Sequence, residues 1–154
     1  MAHGPRIAKP RLAAELRAGR HNGLETIRQS SNNSRMLKLY AYQGCSTCRN
    51  AVKWLKQHGV AFEEIAIREQ PPTTLELKAA LKSRGGDLGA LFNRSGQDYR
   101  TLGMKDKLPA MSEAGALQLL SKSGNLVKRP FAIDEKKRVA LVGFKETEWE
   151  SALI

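Results

Sequence analysis

Cysteine is scarce in this chain of 154 residues: there are two, Cys45 and Cys48. Two cysteines cannot staple a secreted scaffold, which relies on several bridges to make up for a small core. Long apolar runs are also lacking. No stretch approaches the roughly 18 uncharged residues that a membrane-spanning helix needs, and the start of the chain is too polar for the apolar centre of a secretory signal. Aromatic residues make up only 6% and do not interleave with the basic ones, so the stacking platform of a nucleic-acid groove is missing. Histidine is rare, and His58 is the only one after residue 35. With no second CxxC, one chain does not reach the roughly four ligands of a zinc site, so no metal is expected. These shortages point to a soluble, cytoplasmic protein with no membrane contact, and they argue against direct nucleic-acid binding.

What is present is enough for one packed domain with an appendage. Hydrophobic residues make up 41% and charged residues 27%, with a net charge of +11. Residues 1–35 hold seven basic residues against two acidic ones, so nearly half the excess sits in a short segment. That segment has no aromatic residue and ends in the polar run Gln29-Ser30-Ser31-Asn32-Asn33-Ser34, which has the composition of a linker. It reads as a basic, disordered N-terminal extension. An Arg-rich transit peptide and a start assigned too early, with Met36 as the true first residue, are the other readings.

From Met36 the pattern becomes regular. Leu37-Lys38-Leu39-Tyr40-Ala41-Tyr42 is rich in strand formers and stops at Gln43-Gly44. A helix follows, capped by Ser46 or Thr47 and ending at His58-Gly59, with Cys48, Val52 and Leu55 on one face. Ala61–Ile67 gives a second strand, which the intervening helix makes parallel to the first. After Pro71-Pro72, a Thr73/Glu76 capping box opens a helix with Leu75, Ala79 and Leu81 inward, stopped at Gly85-Gly86. A short helix over Asp87–Phe92, a loop at Asn93–Gly96 and a helix capped by Ser112 follow. Pro130–Ile133 and Val139–Val142 form a hairpin about Asp134–Lys137, and Lys145–Ile154 a last helix. The order is βαβ, helices, ββα: an α/β fold with an inserted helical subdomain at about 72–128.

The chemistry concentrates at Cys45-Ser46-Thr47-Cys48, directly after a strand and opening a helix. Unpaired N–H groups and the positive dipole end at a helix start stabilise a thiolate. Cys45 is therefore the expected nucleophile, and Cys48, one turn on, the resolving thiol. Cys48 also shares the helix's apolar face, so a purely structural pair is the competing reading. Arg49 adds positive potential. Lys128-Arg129-Pro130-Phe131 is the second feature: Arg129 is expected to face Cys45 and bind an anion or a carboxylate, and Arg94 to do the same from its loop. A solvated side chain is the competing reading for both.

Taken in order, G-C-x-x-C-R at a helix start, P-P-T-x-x-E-L, L-F-N-R-S-G, and K-R-P followed by V-G-F resemble the arsenate reductase-like (Spx/MgsR-type) family over residues 36–154. The resemblance implies a thioredoxin/glutaredoxin-like fold, a redox-active Cys45–Cys48 disulfide and a cis Pro130. It implies glutathione or a thioredoxin or glutaredoxin as electron donor. Arsenate reductases of this type surround the oxyanion with three arginines. Arg129 matches one, Arg94 matches a second with a one-residue shift, and the third has no counterpart in Ala140–Phe144. The family's regulatory branch binds the RNA polymerase α subunit, a contact whose positions fall here on Lys82 and Gly85 or Gly86. A thiol-disulfide reductase is the leading expectation, and a redox-sensing transcriptional regulator the alternative.

Overall fold

The computed structural model describes residues 36–154. The expected basic extension of residues 1–35 lies outside the described residues. The elements are β1 (Leu37–Ala41), α1 (Ser46–Gln57), β2 (Phe62–Ala66), α2 (Thr74–Ser83), α3 (Gln97–Thr101), α4 (Met104–Lys107), α5 (Glu113–Lys122), β3 (Phe131–Asp134), β4 (Val139–Val142) and α6 (Glu146–Leu153). Single turns of 3-10 helix lie at Leu88–Leu91, Leu108–Ala110 and Gly124–Leu126.

The strands form one sheet in the order β2-β1-β3-β4. β1 runs parallel to β2, with Leu37 opposite Phe62. A parallel pair cannot close through a tight turn, and α1 makes the crossover. β3 is antiparallel to β1, and β4 to β3. Alternation along β1 sends Leu37, Leu39 and Ala41 to one face and Tyr40 to the other. The first face packs with Cys48, Ala51, Trp54 and Leu55 of α1 and Trp149 of α6. The second packs with Leu77 and Leu81 of α2 and Leu117 and Leu120 of α5. Buried Trp149 anchors α6: its ring meets Phe144 and Trp54 edge to face, and its Nε1 donates to the Gly143 carbonyl at 3.0 Å.

Several local expectations are corrected. Neither Ser46 nor Thr47 caps α1; the cap is Cys45 itself, with backbone in the extended region. The inward face of α2 is Glu76, Leu77, Ala80 and Leu81. Leu75 is 79% exposed and Ala79 is exposed too. Each lies two residues from Leu77, about 200° around the helix, so the Thr73 cap that fixes the start of α2 turns both outward. The capping box is half formed. The Glu76 N–H donates to the Thr73 hydroxyl, but the Glu76 carboxylate turns inward to accept from Thr73 and Tyr40 hydroxyls at 3.1 Å each. Helices α3 and α4 escaped the sequence reading because four or five residues show no usable period.

Replacing Trp149 tests the anchoring of α6. Trp149→Ala is expected to cost about 3–5 kcal/mol. Trp149→Phe should cost about 1–3 kcal/mol, because the Gly143 carbonyl loses its buried donor. Urea denaturation followed by circular dichroism checks both.

Candidate active site

The turn that closes β1 delivers Cys45 to the head of α1. The Cys45 N–H donates to the Tyr42 carbonyl at 3.0 Å, which tightens the Tyr42–Cys45 turn. The Cys45 sulfur then accepts the Cys48 N–H at 3.4 Å. Sulfur thus occupies the place where serine or aspartate oxygen usually satisfies a free helical donor. No acidic residue lies in the first turn of α1 to oppose a negative charge there.

Electrostatics separate the two thiols. Partial burial works against ionisation of Cys45, but it is outweighed by the Cys48 amide, the Cys48 thiol, the Arg129 charge and the Thr47 amide, which together hold its pKa below the ordinary cysteine value. Cys48 goes the other way. It is 2% exposed, and burial pushes its thiol up to about 12, against a lowering contribution from the Tyr42 backbone; the Cys45 thiol and charge add to the rise. The outer sulfur is shifted toward thiolate and the inner one toward thiol.

Cys45 opens on a cleft of about 540 Å³. Lys128, Arg129 and Lys145 line it, Asn93 and Ser95 supply neutral polar groups, and no Asp or Glu contributes to its wall among the described residues. Lys128 and Arg129 are carried by the segment entering β3, and the Arg129–Pro130 peptide is cis. The Pro130 carbonyl accepts from Gly143 at 2.9 Å, which joins that segment to the end of β4 and so to Phe144 and Lys145.

The proposed arginines separate. Arg129 reaches the thiol cleft, with its guanidinium carbon 5.0 Å from the Tyr42 ring centroid. Arg94 does not: its Nε donates to the Gly89 carbonyl at 3.2 Å, and it faces a different hollow beside the Leu88–Leu91 turn. Arg49 is exposed and donates to the Gln43 carbonyl at 2.8 Å, so it braces the cysteine turn from outside. Val142 lines the cleft where a third arginine would be sought. Lys128, Lys145 and Tyr42 were not among the candidates. They come from three separate segments, and only the adjacency of Lys128 to Arg129 offered a signal. His58 stacks on Trp54 at 4.1 Å, and among the described residues no cluster of three or more His, Cys, Asp or Glu could hold a metal ion.

Comparison with known proteins gives the same frame. The ArsC family model matches residues 40–152. The chain is 49% identical over 114 residues to the uncharacterized protein YusI of Bacillus subtilis, covering 74% of this chain and 95% of YusI. It is 34% identical to the global transcriptional regulator Spx of Enterococcus faecalis, covering 73% of this chain and 83% of Spx. Among solved structures, a putative ArsC family related protein from Bacteroides fragilis superposes with a TM-score of 0.69 at 39% identity, covering 76% of this chain and 98% of that one. The fold is thioredoxin-like, as the motif order implied.

A lowered pKa keeps Cys45 ionised to lower pH, so its alkylation rate should reach half-maximum below the midpoint of a free cysteine. Arg129→Ala should move that midpoint upward and slow alkylation at neutral pH by roughly two- to tenfold. Cys48 should stay unmodified in the folded protein. Iodoacetamide kinetics against pH, with mass-spectrometric site assignment, check all three.

Proposed function

The chain belongs to the ArsC family, and we propose that it is a thiol-disulfide reductase of that family with Cys45 as nucleophile and Cys48 as resolving thiol. The observation that carries the reading is the opposite tuning of the two sulfurs at one helix start, the accessible one toward thiolate and the buried one toward thiol.

The reaction follows from that tuning. The Cys45 thiolate attacks one sulfur of a substrate disulfide, forming a mixed disulfide and expelling a thiolate that takes a proton from solvent. Cys45 then no longer carries charge, so the repulsion that helped raise Cys48 disappears. Cys48 loses its proton to solvent and attacks the Cys45 sulfur. The Cys45–Cys48 disulfide forms and the second half of the substrate leaves. Two electrons pass from the protein to the substrate. A thiol donor, glutathione or a reduced thioredoxin or glutaredoxin, returns them by the reverse exchange. Such a cycle belongs in a compartment that keeps thiols reduced, the cytoplasm. Arg129 orients the anionic part of the substrate, and Pro130 shapes the groove beside the sulfur.

An organic disulfide suits this cleft better than arsenate. With Arg94 turned to Gly89 and Val142 in the third place, Arg129 is the one arginine among the described residues of the wall. The lysines beside it are point charges and cannot grip an oxyanion through two parallel bonds.

The likeness to Spx supports a second reading, in which the disulfide gates binding to the α subunit of RNA polymerase. Lys82 is exposed on α2. Gly85, however, has a backbone reason of its own. At φ +66 it terminates α2, with Gly86 N–H donating to Leu81 and Gly85 N–H to Lys82, the paired bonds of a glycine-terminated helix.

Cys45→Ser should abolish reduction of a small disulfide with glutathione as donor. Cys48→Ser should accumulate a mixed disulfide at Cys45, visible by intact-mass spectrometry; undiminished turnover of Cys45→Ser would refute the reading. Arsenate should be reduced at no more than background rate. Retention of the reduced or oxidised protein on the purified C-terminal domain of the polymerase α chain would establish the second reading.

A further inference from the structure

Tyr42 and Arg129 line two hollows at once. One is the thiol cleft; the other, of about 170 Å³, is completed by Arg68, Asp98 and Asn125. The guanidinium carbon of Arg68 lies 4.7 Å from the Tyr42 ring centroid and that of Arg129 5.0 Å from it. Both distances are within the range of cation–π attraction. One phenol ring therefore holds two positive groups. Among the described residues, the ion pairs are Lys38–Glu76 and Arg84–Glu148. Neither Arg68 nor Arg129 has a carboxylate partner there, although Asp98 stands in the same wall.

The platform is built into the thiol loop. A Cβ on Gly44 would lie 2.6 Å from Tyr42 Cε1 and 2.8 Å from Cζ. The ring thus lies across the residue that precedes Cys45, and only glycine leaves room for it there. The element that gathers the two arginines is also packed against the turn that presents the nucleophile.

We infer that Arg68 and Arg129, gathered on Tyr42, form a carboxylate subsite contiguous with the thiol cleft, and that the substrate disulfide carries a carboxylate on one of its halves. The inference rests on the thiol-disulfide reading above and deepens it. Planar guanidinium matches planar carboxylate through paired donors. A bound carboxylate also relieves the mutual repulsion of two cations that share one ring. Asp98 restricts the occupant, because a polyanion would press a second negative charge toward it. Arg129 belongs to both hollows, so one ligand can reach from the sulfur to Arg68.

The test is the rate at which Cys45 of the reduced full-length protein exchanges with dithiodipropionate, which carries carboxylates, and with neutral hydroxyethyl disulfide, each followed by stopped flow. The ratio of the two rate constants is the readout. In the wild type it should exceed one and fall with added salt. Arg68→Ala should lower it about two- to fivefold, the effect of one exposed ion pair. Tyr42→Leu should lower it similarly, and Tyr42→Phe, which keeps the ring, should preserve it. An Arg68→Ala ratio equal to the wild-type ratio, with both disulfides still reacting, overturns the subsite and leaves the thiol chemistry standing. Failure of the wild type to exchange even with the neutral disulfide overturns the thiol chemistry, and the subsite with it.

Discussion

One hydrogen bond organises the reactive end of this molecule: the donation of the Cys48 amide to the sulfur of Cys45 at the head of α1. A helix start must satisfy its free N–H groups, and here a thiol does what an oxygen usually does. The bond satisfies the helix and stabilises negative charge on the sulfur. It also fixes the spacing of the two cysteines, since donor and acceptor belong to the two members of the pair.

The rest of the fold holds that helix start in place and surrounds it with positive charge. β1 brings the chain to the turn, and the two cores clamp β1 from opposite faces through Leu39 and Tyr40. The opposing wall is assembled from the entry to β3 and the exit from β4, which the bond from Gly143 to Pro130 ties together. Arg84, at the end of α2, joins that helix to β4 and α6, donating to the Val142 carbonyl and pairing with Glu148 at 2.9 Å. The inserted helices pack on the sheet face opposite α1 and reach the thiol cleft through the Asn93–Gly96 loop, so their outer surfaces can vary without disturbing the thiols. That separation gives a physical reason why one framework accommodates relatives whose names run from possible arsenate reductase to transcriptional regulator.

Charge in the cleft is arranged by exclusion as much as by attraction. Three cations line it and, among the described residues, no carboxylate does, although the chain carries 15 acidic residues. The two buried acids among the described residues are kept elsewhere: Glu76 accepts from Tyr40 and Thr73, and Asp134 accepts from the amides of Lys136 and Lys137 in the hairpin turn. Withholding negative charge from the sulfur lets a modest set of donors lower its pKa despite partial burial.

The order of elements and the strand–CxxC–helix junction were legible in the sequence because they depend on neighbours within a few residues. Periodicity, caps and turn residues are local signals, and a helix start acts on a thiol one turn away wherever it sits in the chain. Arg129 was expected to face Cys45, but so was Arg94, and the sequence did not tell them apart. Arg94, Arg129 and Arg49 look alike as letters. Only the assembled fold turned Arg94 to Gly89, Arg49 to Gln43 and Arg129 toward the sulfur. The other cleft walls lie about fifty to a hundred residues along the chain from the thiol loop, and side chains that far separated converge only through packing. Residue chemistry was therefore fixed locally, while the set of residues that act together was decided by tertiary contacts.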